Sequence, residues 1–315
     1  MDLSKARSEP FVRLVEFHDA FNRSMKLCSA SVAFVERMAG LPEAGKPLSE
    51  IILRADSEPW GHSPWKSIEE AAPQAKSFVA ELGIVRAMSA FEDYVTRAWS
   101  ELDRAEGSTP ATETAAKPDT GSEEAEASDP VPPYSNILAR LQLAPDPNVL
   151  RVVEFMVMAR NCIVHRSNRA SAALQKSRES DELRAALGSW SRRSGKWKVS
   201  FPAVVKGSPV PWLPRHSIAA SDCFYRLARQ IDSKVVARLG DCGMVLMATH
   251  WCLLEKDPVP SPAKLNAQTV IRTQLHGRYG AKSIDANEVI GLLRGSGKWK
   301  NALAAFEKLR DESAL

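Results

Sequence analysis

The stretch 149–169, VLRVVEFMVMARNCIVHRSNR, constrains the fold more than any other part of the chain. From 149 to 159 it is apolar on nearly every side, interrupted only by Arg151 and Glu154. A helix apolar around its whole circumference is buried in a core or an interface. Asp146-Pro147-Asn148 ahead of it makes a suitable helix start, a capping side chain followed by a proline whose missing N–H costs nothing there. The rest of the chain, or a second molecule, must enclose this helix.

The enclosing material is also helical in pattern. Residues 10–39 carry a wide apolar stripe from Phe11 to Met38 and stop at Gly40 and Pro42. A second helix is expected over 75–102, where Ile84, Met88, Phe91, Val95, Ala98 and Leu102 fall on one line. Glu92 lies in an adjacent line, between Met88 and Val95. A short helix is expected at 135–143, and helical periodicity resumes from 216 to 255, with Gly240 and Gly243 marking a bend or break. The expected fold class is therefore mostly α, an antiparallel helical bundle over 10–255.

Three segments depart from that pattern. Residues 105–133 are rich in Ser, Thr, Ala, Pro and Glu and cannot bury enough apolar surface to offset ordering; they read as a disordered acidic linker inserted in the bundle. Residues 195–215 hold the strand material: Trp197, Val199 and Phe201 alternate with polar residues, and Lys206-Gly207-Ser208-Pro209 makes a turn, so a small β-hairpin insertion is expected. After the linker DPVPSP, residues 263–315 read as a small helical C-terminal region with helices at 263–275, 285–293 and 299–309. That tail fits either a separate binding unit or a part packed back on the bundle.

The end of the central helix carries the chemistry. At about 100° per residue, Asn161 and His165 share a face one turn apart, while Arg160 lies over Val153, Val157 and Val164, on the side that should be packed. A guanidinium stays charged in any protein, so this one needs a carboxylate or a ligand. Glu92, the other charge on an apolar stripe, is the candidate partner; at the stripe's edge it would instead reach water. Arg151, Glu154, Asn161, His165 and Asn168 also read as one solvated face, an interpretation that leaves Arg160 unexplained. Beyond His165 the chain turns basic, with Arg166, Arg169, Arg192, Arg193, Lys196 and Lys198, and Trp190 and Trp197 are interleaved. Arginines with aromatics suit phosphate contact and base stacking, and basic runs also occur as plain solvated surface.

Histidine moves protons near neutral pH, and arginine forks onto phosphate. With Asn161 to orient the ring or hold a phosphate oxygen, Arg160 and His165 suffice for cleaving an RNA phosphodiester, whose own 2′-OH is the nucleophile. No Asp and Glu cluster at metal-binding spacing and no zinc-ligand spacing accompanies them, so neither metal nor cofactor is expected. No second histidine stands where a complementary acid is needed. The five cysteines include no CxxC pair and read as reduced thiols. Net charge is +4, a mild lean toward polyanions. MDLSKARSEP has no apolar leader and no apolar run reaches the ~20 residues of a membrane span, so a soluble, cytoplasmic protein without membrane association is expected.

Arg160-Asn161-Cys-Ile-Val-His165 resembles the R-x4–6-H motif of HEPN-domain proteins, with the polar residue that family favours after the arginine. The long apolar helix before it, the basic segment after it and the earlier FEDY helix extend the resemblance over roughly 10–255. Some toxin-type members carry a Tyr two places after the His; here that position is Ser167. The resemblance implies a HEPN-like bundle acting as a metal-independent endoribonuclease, a toxin or antiviral-defence effector, in which two subunits pair so that both motifs line one cleft. RNA, a second copy of the chain and a neutralising antitoxin or defence-system partner are the implied partners. The alternative is a non-catalytic HEPN-like module that binds RNA, nucleotide or a protein partner.

Overall fold

The computed structural model describes residues 1–41, 67–107, 133–193, 200–255 and 266–312. The fold is all-α: among the described residues there are helices and two isolated β-bridges, and no sheet. None of the helices there is long and apolar enough to cross a membrane. Ten α-helices are described: α1 (Glu9–Ala39), α2 (Ile68–Glu106), α3 (Pro133–Arg140), α4 (Pro147–His165), α5 (Ala172–Glu179), α6 (Asp181–Arg193), α7 (Pro214–Thr249), α8 (Ala267–Gly277), α9 (Ala286–Gly295) and α10 (Trp299–Glu312). A π-helical turn, His250–Leu254, continues from α7.

α2 starts seven residues before the expected position. Ser67 caps it by accepting from the Glu70 N–H at 3.3 Å, and Pro73 is carried inside its second turn. The acidic linker expected at 105–133 lies outside the described residues, except that Ala105 and Glu106 still belong to α2. Gly240 breaks α7 as anticipated: its φ of 57° is left-handed, which glycine adopts without steric cost.

The chain divides into two compact units. One comprises Met1–Val15, Glu92–Ala144 and Ala228–Leu315; the other comprises Glu16–Phe91 and Pro145–Leu227. In the first, the C-terminal helices do not stand apart from the N-terminal residues. The Met1 ammonium bonds Asp241 at 3.1 Å, Asp2 pairs with Lys282, and buried Glu9 receives both Nε and Nη2 of Arg278 at 2.8 Å. The core around them includes Tyr94, Leu102, Ile137, Ile231, Trp251 and Ile271.

The second unit encloses α4. Phe155 stacks on Phe201 with centroids 4.7 Å apart and meets Trp212 edge-on. Phe91 stacks on Phe224 at 5.3 Å. α2 and α7 approach closely at Gly83, where a Cβ would lie 2.7 Å from the Ser217 side chain, whose hydroxyl donates to the Ala80 carbonyl.

The hairpin expected at 195–215 does not form in its described part; residues 195–199 lie outside the described residues. A turn does occur at 206–208, closed by Ser208 N–H donating to Val205 O. Its arms do not ladder with each other. Instead the segment is laced to the stretch after α4: Ala170 N–H donates to Ser208 O, Gly207 N–H to Ala170 O and Val210 N–H to Asn168 O. Pro202, Pro209 and Pro211 have no N–H to give, so an internal ladder would be interrupted repeatedly.

Candidate functional site

Asp146 caps α4 by accepting from the Asn148 N–H, and Pro147 opens the first turn. The buried side of the helix then changes character along its length. On the line Val153, Val157, Arg160 and Val164, exposure rises from 0% at Val153 through 8% at Val157 to 46% at Val164. An apolar stripe thus emerges from the core at the C-terminal end, and Arg160, half-buried, sits where it emerges.

The Arg160 guanidinium donates from Nη1 to Asn161 Oδ1 at 3.2 Å. Its Nε is enclosed and has no hydrogen-bond partner among the described residues. Glu92, the expected partner, is half-buried and belongs to the other unit, while Arg160 turns to its neighbour Asn161.

His165 is the last residue of α4 and is exposed; neither ring nitrogen is hydrogen-bonded among the described residues. A basic side chain in a last turn is also favoured by the carbonyl end of the helix. Asn161, one turn before it, receives Arg160 on its oxygen and leaves its amide hydrogens for His165 or for an external acceptor. All three belong to the last two turns of α4, where Arg160 bonds Asn161.

The chain then reverses sharply. Cys162 O accepts both Arg166 N–H and Asn168 N–H, and Ser167 and Asn168 take left-handed backbone angles, φ 48° and 61°. Asn168 is buried at 8% exposure and fully engaged. Its Nδ2 donates to Glu81 Oε1 at 2.8 Å and to Val210 O at 2.9 Å, and its Oδ1 accepts Trp212 Nε1 at 2.9 Å. This amide ties the end of α4 to α2 and to the extended segment.

The basic segment is only partly available for a polyanion. Arg166 is exposed, and Arg169 is exposed while donating to Gly207 O at 3.0 Å. The side chains of Arg192 and Arg193, and all of Lys196, Lys198 and Trp197, lie outside the described residues. Trp190 is not a stacking platform. It is buried at 5% exposure, donates from Nε1 to Asp222, and is covered by Arg226 at 4.2 Å from the ring centroid.

Two other described histidines of this unit, His216 and His18, are structural. His216 is 2% exposed, accepts the Leu213 N–H on Nδ1, and is pushed down to about 4 chiefly by burial, so it is neutral. His18 is also lowered by burial; it bonds Ser221 at 2.8 Å and stacks on Tyr225. No three His, Cys, Asp or Glu side chains among the described residues gather as metal ligands would.

A group of buried acids in the first unit carries no signal in the sequence pattern. Glu9, Glu101 and Asp232 are 1%, 0% and 3% exposed. Ser8 donates to Asp232 from its hydroxyl, Arg13 and Arg278 hold Glu9, and Trp251 Nε1 donates to Glu101 Oε1 at 2.7 Å. Burial pushes Asp232 up to about 7 and Glu101 up to about 8.

No family model matches the chain, and neither a curated protein nor a solved structure is detectably similar to it.

Proposed function

We propose that the C-terminal turn of α4 engages an RNA phosphodiester and that the protein is a metal-independent endoribonuclease of HEPN-like organisation. One observation carries this reading. The half-buried guanidinium of Arg160 has a side-chain amide, not a carboxylate, as its hydrogen-bond partner, so its charge is left for an incoming anion beside an exposed histidine. In the reaction a histidine takes the proton of the 2′-OH, the 2′-oxygen attacks phosphorus, and the P–O5′ bond breaks as its oxygen takes a proton. Arg160 stabilises the charge that builds on the non-bridging oxygens, and Asn161 holds the fork in place.

One histidine cannot give and take both protons at once. The emerging Val157–Val164 stripe supplies an apolar face through which two copies can pair about a two-fold axis, bringing a second His165 to the same cleft. Use as a cytoplasmic toxin or defence effector, with a neutralising partner, follows from this reading. The rival reading, a module that binds RNA, nucleotide or a protein partner without cutting, is favoured by a different observation: nothing among the described residues holds the His165 ring in one orientation. Incubation of the purified protein with total cellular RNA in excess chelator decides between them. The ribonuclease cuts, and His165→Ala does not; binding without cutting by the native protein supports the module.

A further inference from the structure

A cleft of about 640 Å³ lies beside the end of α4, bounded by the early turns of α2 and by the extended segment around Pro211. Its volume is that of a small-molecule pocket. Asn168, which lines it, is three residues beyond His165, so their Cα atoms are at most about 11 Å apart. The two places therefore fit adjoining parts of one ligand.

The polar chemistry of the cleft is set by Glu81. This carboxylate is half-buried, and burial raises its pKa. Its Oε1 accepts from Ser77 Oγ at 3.0 Å and from Asn168 Nδ2 at 2.8 Å. Its Oε2 accepts from no described residue. The lysine in the lining, Lys76, is held by Glu36 at 2.5 Å. The cleft thus offers an unmatched acceptor that repels phosphate and attracts an N–H donor. Apolar surface flanks it: Phe78, 60% exposed, on α2, and Pro211 of the extended segment. An exposed aromatic on a helix, beside a carboxylate oxygen without a described partner, matches a planar heterocycle that stacks on one side and donates at its edge.

We infer that this cleft is a nucleobase subsite that takes a base with an exocyclic amino group, its N–H donating to Glu81 Oε2 and its face lying on Phe78. The inference rests on the ribonuclease reading for its ligand: the phosphate attached to that nucleotide is the one held at Arg160 and His165. Uracil is the disfavoured base. Its pairing edge places two carbonyls beside a single N–H, and these would face the carboxylate. Glu81 and Asn168 then act as specificity residues, with Asn168 fixing both the carboxylate and the end of α4.

The test uses the full chain and two readouts. Equilibrium dialysis of AMP, CMP, GMP and UMP is run against the native protein, Glu81→Gln, Phe78→Ala and His165→Ala. Glutamine still accepts from Ser77 and Asn168, and Phe78 is on the surface, so both variants keep the fold. The expected result is that AMP, CMP and GMP bind about tenfold more tightly than UMP, and that Glu81→Gln and Phe78→Ala each lose most of that margin. His165→Ala keeps the base selectivity. Sequencing of ends cut from total RNA in chelator should show the same bias at one position next to the cut. Selective binding without any cutting upholds the subsite and removes the ribonuclease reading. Cutting without base bias, together with equal binding of all four nucleotides, overturns the subsite and leaves the ribonuclease. Tighter binding of arginine amide than of any nucleotide, lost in Glu81→Gln, assigns the cleft to a peptide and also overturns it.

Discussion

Replacing Glu101 by glutamine should change how stability depends on pH. Glu101 is fully buried, its Oε1 accepts from Trp251, its Oε2 has no hydrogen-bond partner among the described residues, and Arg13 and Arg104 lie over the Trp251 ring at 5.1 and 5.6 Å. Loss of hydration raises its pKa from 4.5 to about 8, with nearby Asp232 and Glu9 adding to the rise. In the unfolded chain the carboxyl ionises near its ordinary value. Between the two values the unfolded state has released a proton that the folded state keeps, so folding stability falls as pH rises and levels off above about 8. From pH 5 to pH 8 this one group removes about 3 kcal/mol.

Glutamine keeps the acceptor for Trp251 and has no proton to lose. Its buried NH₂ lacks an acceptor, a pH-independent cost of about 1–3 kcal/mol. Urea unfolding followed by circular dichroism at pH 5, 6, 7 and 8 should therefore show a steep decline for the native protein and a shallower one for Glu101→Gln, with residual slope from Asp232, which rises to about 7. The gap between the two proteins should shift in the variant's favour by about 3 kcal/mol over that range. Parallel curves would falsify the assignment of a neutral, buried Glu101.

Asn168→Ala should cost roughly 3 kcal/mol in chemical denaturation, because it strands the Trp212 N–H and puts a Cβ residue with no local hydrogen bonds in a left-handed position; a loss under 1 kcal/mol would show that the amide is not a structural hub. Light scattering at micromolar concentration should give a dimer, and Val164→Asp, which places a charge on a side chain 46% exposed in the monomer, should give a folded monomer; a native monomer that cuts RNA fully would rule out the two-fold site. In chelator the protein should leave 2′,3′-cyclic phosphate and 5′-OH ends, with Arg160→Ala and His165→Ala inactive and Asn161→Ala weakened. An RNA methylated at every 2′-oxygen should stay whole, as should DNA; cutting of either defeats the mechanism.

The legible parts of this chain were the long lines of large aliphatic and aromatic residues. Ile84, Met88, Phe91, Val95, Ala98 and Leu102 are all buried, and the line through Arg160 begins at buried Val153 and Val157. What escaped was carried by small residues and by long-range polar contacts. Glu101 continues the line Ala80, Ala87, Tyr94 at seven-residue spacing, all at most 2% exposed, and alanines gave that line too little weight to mark its last member as buried. Asn168 finds its partners 44 and 87 positions away, a distance over which periodicity carries no information. In the described part of the expected hairpin, residues 200–215, no ladder forms, for a local reason that the alternation around Phe201 hid: Pro202, Pro209 and Pro211 deny it donors.

The place of Arg160 on its stripe explains why an amide serves as its hydrogen-bond partner among the described residues. One turn deeper, beside Val153 or Val157, a guanidinium would have needed an ionic partner, since stranding it there costs several kcal/mol. Fully in water it would be hydrated and weakly selective for an anion. At the point where the stripe emerges, one amide is enough to hold the fork while its charge stays uncompensated. Such a cation attracts a phosphate more strongly than a surface arginine does, because less water screens it. The same emergence exposes Val164 next to it, so the apolar face that would join two copies and the charge that would hold the phosphate belong to a single line of one helix. Pairing across Val164 would bury Arg160 further at the moment a phosphate arrives to neutralise it. RNA binding and self-association should therefore be coupled, each tightening the other, and the dimer should weaken when phosphate is competed away by salt.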